Sequence, residues 1–398
     1  MIDVESFRQQ IPVCQRAAYL NTGMSGPSPV PVVDAIKQRL DYEMEEGSGS
    51  PDVNSSGRSV REAARQCVAS FLNASPEEIC VTKNTTDGLN MVLNGLTWNP
   101  GDEIVTCDLE HSSVLVPTDY KQRQSGVVMK VLSMAPDEPM ESILSKIEDA
   151  LTPRTRLVFL SHIEYSSGLR MPVEEIRRLT KDRGVMLLLD GAQTAGHIRL
   201  DMNELGADFY SIPGQKWLLG SEGIGALYIR QDHIQDVEPA HLGGRAVLPH
   251  AGPRDLAPTS GSMDKFLMSS ASTALHAGLI EAINFIQEAG ITEIEQRDVD
   301  LAGSLKDSLR ETPGVTVLSP FDRRTSSGLV TFAIDGVDPE QAVAHLWEKN
   351  RISVRRLSYP AGIRASLHFF NTQDEVGNLA EAVRGLAETG VSSCHPPG

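Results

Sequence analysis

Five apolar residues in a row, Val185, Met186, Leu187, Leu188 and Leu189, stop abruptly at Asp190 and Gly191. A strand with one wet face alternates polar and apolar side chains, so an unbroken run of this kind belongs to a strand covered on both faces, as in a parallel sheet flanked by helices. Further short segments that read as strands, at 79–82, 102–111, 127–132 and 155–161, alternate along the chain with segments of helical spacing such as 59–73, 140–151 and 173–181. That alternation is the rhythm of a doubly wound α/β sheet. It places Asp190 at the carboxyl end of its strand, the edge at which open α/β sheets bind ligands.

Length and charge narrow the possibilities. With 398 residues the chain is long enough for a large core and two domains. A net charge of −17 argues against nucleic acid or an anionic membrane as partner. The five cysteines, Cys14, Cys67, Cys80, Cys107 and Cys394, include no CxxC pair and no spacing with histidine that suits a metal, so neither a metal site nor a disulfide framework is expected. The opening MIDVESFRQQIP has no basic region followed by an apolar run, and no apolar stretch reaches the roughly 18 residues of a membrane helix. A cytoplasmic protein is expected, with a disordered tail at 391–398.

Lys216 is the candidate chemical centre. It stands in DFYSIPGQKWLLGSEGIGALYIR (208–230), ahead of Trp217, Leu218 and Leu219 and of a glycine-rich turn. A lysine deprived of water by such neighbours loses solvation of its ammonium form, its pKa falls, and it becomes a nucleophilic amine able to condense with an aldehyde. Taken alone it reads as a surface lysine ending a strand, and Asp190 alone is as well explained as a turn cap. At 83–88, KNTTDG joins a strand to a helix start; N–H groups and the positive helix end converge there, as a phosphate requires, although plain N-capping by Asn84 or Thr85 uses the same residues. His111 follows the strand within 102–111.

Taken together, Asp190 with Gln193 and then Lys216 one strand later resemble the class V family of pyridoxal-phosphate (PLP) enzymes of fold type I, which includes cysteine desulfurases, cyst(e)ine C–S lyases and isopenicillin N epimerase. The resemblance extends from about Tyr19 to about Leu386. It implies an aspartate aminotransferase-like α/β fold with a mostly parallel seven-stranded sheet and a smaller α+β domain. The domains it implies are an N-terminal segment at 1–18, a PLP-binding domain at 19–262 and a small domain at 263–390. It further implies that Lys216 carries the aldehyde, Asp190 pairs with the pyridine nitrogen, Gln193 contacts the ring oxygen, and His111 stacks on the ring and shuttles protons as a catalytic residue beside Lys216. Thr85, Thr86 and Gln215 fall to the phosphate, and Ser270 to the phosphate of a neighbouring subunit, making a homodimer with shared sites. Arg364, assisted by Arg355 or Arg356, matches the residue that grips the α-carboxylate of an amino-acid substrate; Asn21 and Tyr165 border the substrate.

The chain departs from the desulfurase pattern in three places. Tyr165, Ser166 and Ser167 occupy the region where an asparagine is expected, and Pro213 and Gln215 replace a small hydroxyl residue and a histidine. Between the last two expected strands, at 352–355 and 363–369, RLSYPAG (356–362) has no cysteine where desulfurases carry their nucleophile. The expectation is therefore a PLP-dependent C–S lyase acting on cysteine, cystine or a cysteine S-conjugate by β-elimination. Desulfuration, epimerisation and decarboxylation are the alternatives, and a binding module without turnover is the reading from another class.

Overall fold

The computed structural model describes residues 2–389 except 250, 251, 254 and 269, so the tail at 391–398 and Cys394 lie outside the described residues. After a short strand β1 (Ala18–Tyr19) come the strands of the main sheet: β2 (Ile79–Thr82), β3 (Glu103–Cys107), β4 (Val128–Leu132), β5 (Thr155–Ser161), β6 (Met186–Asp190), β7 (Phe209–Pro213) and β8 (Gly225–Ile229). Their order is β2-β8-β7-β6-β5-β3-β4. Neighbours from β7 to β4 run parallel, and β8 is antiparallel to both β7 and β2.

The sandwiched strand read from the sequence is β6. Leu187 and Leu189 point into one core with Val105, Val158 and Leu160, whereas Leu188 points into another with Ile104, Phe159 and Phe209. Successive strand side chains face opposite ways, so two buried faces demand an unbroken apolar run. Register carries the polar strand ends into one row: Ser161 lies beside Asp190, and Asp190 beside Ser211.

A second sheet holds β9 (Val315–Val317) and β10 (Leu329–Ile334); after β11 (Ile352–Ser353), which pairs with β1, it is completed by β12 (Arg355–Ser358) and β13 (Ala361–Ser366). The order is β12-β13-β10-β9, packed on a core of its own that includes Leu305, Phe332, Ile363 and Leu379. The expected final strand pair at 352–355 and 363–369 is corrected. Ile352 and Ser353 leave the sheet to pair with β1, and the hairpin partner of β13 is β12, closed at Ser358 opposite Ala361 by a two-residue turn, Tyr359 and Pro360. Helix Thr273–Ala289 buries Leu279, Ile283 and Ile286 in the main core.

Candidate active site

Lys216 follows β7 in a turn over which the N-terminal loop closes. Gly26 donates its N–H to Gln215 O at 2.7 Å, and a methyl group at Gly26 would come within 2.1 Å of Lys216 O, so only glycine fits there. Trp217, Leu218 and Leu219 are fully buried, as the sequence reading required. Lys216 itself is half-buried, and loss of water lowers its pKa to about 8; Asp190 opposes the fall, while Arg364 and Arg355 add to it. Burial raises the Asp190 carboxyl and the Lys216 charge partly offsets this. One Asp190 oxygen, Oδ1, accepts Ala192 N–H at 2.7 Å.

Gln193 is held on both sides. Its Nε2 donates to Gly23 O at 3.0 Å and its Oε1 accepts Trp217 Nε1–H at 2.8 Å, which leaves one amide hydrogen for a ligand. The Trp217 indole thus aims the glutamine, a link the sequence did not reveal. A side chain at Gly23 would meet Ser366 Oγ at 2.8 Å, Gln193 Oε1 at 2.9 Å and Arg364 Nη2 at 3.3 Å, so three polar groups converge on that backbone.

The threonines sit at the start of helix Thr85–Gly95, which Asn84 caps by accepting Asp87 N–H at 2.9 Å. Capping falls to Asn84, which leaves Thr85 Oγ1 buried without a partner. Ser211 on β7 fixes this helix start by donating to Thr85 O at 2.9 Å. Thr86 is exposed and shares a 2.8 Å bond with Ser113, whose N–H donates to His111 Nδ1 at 3.1 Å. A backbone N–H can only donate, so Nδ1 is the lone-pair nitrogen and the neutral ring carries its hydrogen on Nε2. Burial, with Lys216, Arg355 and Arg364 nearby, lowers the His111 pKa to about 4. Sequence reasoning missed Ser113 and Ser211; Ser113, two residues past His111, was detectable as cap chemistry, whereas Ser211 depends on the sheet order.

On the substrate side, Arg364 is fully buried in β13 and donates from Nη1 to Tyr165 O at 2.6 Å. Its Nε and Nη2, which together form one edge of the guanidinium fork, have no partner. Arg355 stands opposite Arg364 on β12 and lowers its pKa further, after burial, to about 9. The Tyr165 ring meets His111 edge to face at 4.9 Å. Asn21 pairs with Ser366 as an isolated bridge and leaves Oδ1 buried and unpartnered, as is Gln215 Oε1. Ser166 and Ser167 turn the other way: Ser166 O accepts from Thr331 and Ser167 O from Ser319, both beside the small sheet. Ser270 is exposed and lies on the wall of a cavity of about 460 Å³ shared with Thr82, Lys83 and Asp87, not with Lys216.

A buried polar atom without a partner costs roughly 1–3 kcal/mol. Thr85 Oγ1, Gln215 Oε1, Asn21 Oδ1, Ser366 Oγ and the free edge of Arg364 are therefore donors and acceptors that a ligand could satisfy. Around an amine with a depressed pKa, the set fits a phosphorylated aldehyde together with a carboxylate. In comparison with known proteins, the aminotransferase class-V model matches residues 18–379.

The chain belongs to the class V aminotransferase family.

It is 32% identical to a probable cysteine desulfurase of Methanothermobacter thermautotrophicus over 97% of this chain and 98% of that protein. Its identity to the isopenicillin N epimerase of Amycolatopsis lactamdurans is 30%, over 96% of this chain and 98% of that protein. Among solved structures, the complex of the cystine C–S lyase C-DES with its product cysteine persulfide superposes with a TM-score of 0.89 at 29% identity, covering 94% of this chain and 99% of that one. A C-DES variant with glycine covalently linked to the PLP cofactor gives a TM-score of 0.88, also at 29% identity, covering 95% and 98%. As a class V enzyme, this protein uses PLP, and its fold is that of the family.

Proposed function

We propose that this class V enzyme is a C–S lyase that cleaves the Cβ–S bond of cysteine, cystine or a cysteine S-conjugate, giving a thiol or persulfide, pyruvate and ammonia. The observation that carries the reading is the hairpin β12–β13. A two-residue turn without cysteine joins strands that stay paired to their ends, from Arg355 opposite Arg364 to Ser358 opposite Ala361, so this hairpin has neither the thiol nor the loop to take sulfur from a substrate. The likeness to the cystine lyase C-DES supports the same choice.

Lys216 would hold the cofactor, Asp190 its ring nitrogen, Gln193 its ring oxygen, and Thr85, Thr86 and Gln215 its phosphate. When bound, PLP serves as an electron sink that acidifies the substrate Cα–H bond. The chain's own residues divide the remaining work. The free Nε/Nη2 edge of Arg364 takes the α-carboxylate in bidentate fashion, with Arg355 alongside. Lys216 Nζ, with a pKa near 8, takes the Cα proton as general base. Asp190, whose carboxyl is raised by burial and held down in part by the Lys216 charge, would be the group that keeps a proton on the ring nitrogen. His111 enters neutral and presents Nε2–H, so it acts through its ring face and as a hydrogen-bond donor. Asn21 and Tyr165 border the substrate. Ser270 serves the phosphate of a second copy of the chain in a homodimer with shared sites; mixing K216A and S270A chains would then restore activity to the one mixed site that carries neither change.

The test is incubation with cysteine, cystine and S-substituted cysteines, followed by assays of pyruvate, sulfide or thiol, alanine and carbon dioxide. Pyruvate in step with thiol or persulfide is expected. Alanine with enzyme-bound persulfide would establish desulfuration instead, and loss of optical activity without pyruvate would establish epimerisation.

A further inference from the structure

Two carboxyl groups with no assigned part in this chemistry lie next to the ring pair. Glu110 immediately precedes His111 and Glu164 immediately precedes Tyr165, and these are the two rings in edge-to-face contact at 4.9 Å. Glu110 and Glu164 are 3% and 0% exposed. One polar atom from each and the Cys107 thiol all lie within 4.8 Å of one another. Among the described residues neither carboxyl has an ion-pair partner, and the carboxylate facing both is Asp190, at the end of the neighbouring strand β6.

The donors that reach the pair are divided unequally. Glu110 accepts Ser161 N–H on Oε1 and Ser161 Oγ–H on Oε2, each at 2.6 Å. Glu164 has only the Cys107 thiol, at 3.5 Å from its Oε1 and also 3.9 Å from Glu110 Oε1, and its Oε2 is buried with no donor. Two strong donors satisfy an ionised carboxylate, whereas a buried oxygen beside another carboxylate and without a donor is relieved by carrying a hydrogen of its own.

We propose that Glu164 carries a proton that it shares with Glu110, and that this pair is a positioning unit fixing His111 and Tyr165 against each other at the mouth of the cofactor site. The inference depends on the cofactor site and is independent of which substrate bond breaks. Burial first, and then the neighbouring carboxylates, pushes Glu164 well above the usual carboxyl range, whereas Glu110, also raised by burial, is held down by its bonds to Ser161 and by the hydrogen bond from Glu164. The Cys107 thiol is pushed up in the same way and remains a neutral donor. Like charges sharing a dry site titrate as a pair and retain one proton where isolated carboxyls have lost theirs. Loss of that proton would put two adjacent anions behind His111 and Tyr165 and drive the rings apart.

Glutamine at 164 reproduces the protonated carboxyl: its amide N–H donates to Glu110 and its oxygen still accepts from Cys107. Glutamine at 110 does not, because it turns a donor toward the Ser161 donors. Two readouts test this without turnover. Infrared spectra of the apoprotein should show a protonated-carboxyl band near neutral pH that disappears in Glu164→Gln. In the PLP-loaded protein, the visible circular dichroism band should change at alkaline pH in the wild type, as the raised Glu164 carboxyl loses its proton. Glu164→Gln should keep the neutral-pH band and lose the alkaline change, while Glu110→Gln should weaken PLP binding roughly tenfold or more. An infrared spectrum identical in wild type and Glu164→Gln would overturn the proposal, as would an unaltered alkaline transition in that variant. If Glu164→Gln does not fold, the infrared subtraction is made with Glu164→Met, with the same two outcomes.

Discussion

Replacing Arg364 should cost the enzyme its grip on the substrate carboxylate and little else. The side chain is fully buried, spends Nη1 on Tyr165 O and leaves the Nε/Nη2 edge unpartnered. A carboxylate meeting that edge makes two charge-assisted bonds away from water, and breaking a buried pair of this kind costs about 3–5 kcal/mol. That corresponds to a fall in kcat/KM of roughly 10²- to 10³-fold or somewhat more in Arg364→Gln. Arg364→Lys should recover only part of it, since an ammonium cannot span both oxygens. The assay pairs cystine with cystamine, which has the same disulfide and amines but no carboxylate. Only cystine should show the large loss, because cystamine never made the contact. Equal losses on both substrates, with PLP affinity intact, would refute the assignment and reduce Arg364 to a support for Tyr165.

Three further outcomes follow from the same geometry. With its pKa near 8, apo-Lys216 should react with PLP at a rate that climbs with pH and levels off above about 8, whereas an ordinary lysine would go on climbing to about 10.5. At pH 7 the shift raises the neutral amine fraction about 300-fold, since each unit is a factor of ten. Asp190→Asn removes the charge that holds this pKa up, so stopped-flow absorbance should place its midpoint at a lower pH than in the wild type. Gly26→Ala forces a methyl group against Lys216 O, and thermal unfolding should show a loss of several degrees or failure to fold.

What the sequence disclosed and what it concealed follow from the range of the interactions. Leu187, Leu188 and Leu189 reported both covered faces of the sheet because burial acts residue by residue along a strand. Lys216 and its apolar wall are adjacent in the chain, so desolvation could be read directly. The helix Val30–Glu46 gave little signal, since its buried residues are only Val32 and Arg39. Helix Ser112–Ser125 was masked by Pro117 and by exposed Val116 and Tyr120. Helix Pro51–Leu72 begins eight residues before the expected 59–73, because its first turns are polar and its start is set by Ser50 and Pro51. The Gln193–Trp217 bond, the unpartnered edge of Arg364 and the contact between His111 and Tyr165 depend on strand order and register, which no local pattern encodes.

The account rests on Lys216 as the amine that holds PLP. Reducing the PLP-loaded protein with borohydride and mapping the modified peptide by mass spectrometry tests this directly. A single pyridoxyl group on Lys216, absent from Lys216→Ala, is the result the account predicts. A label on any other lysine, or none at all, would contradict it.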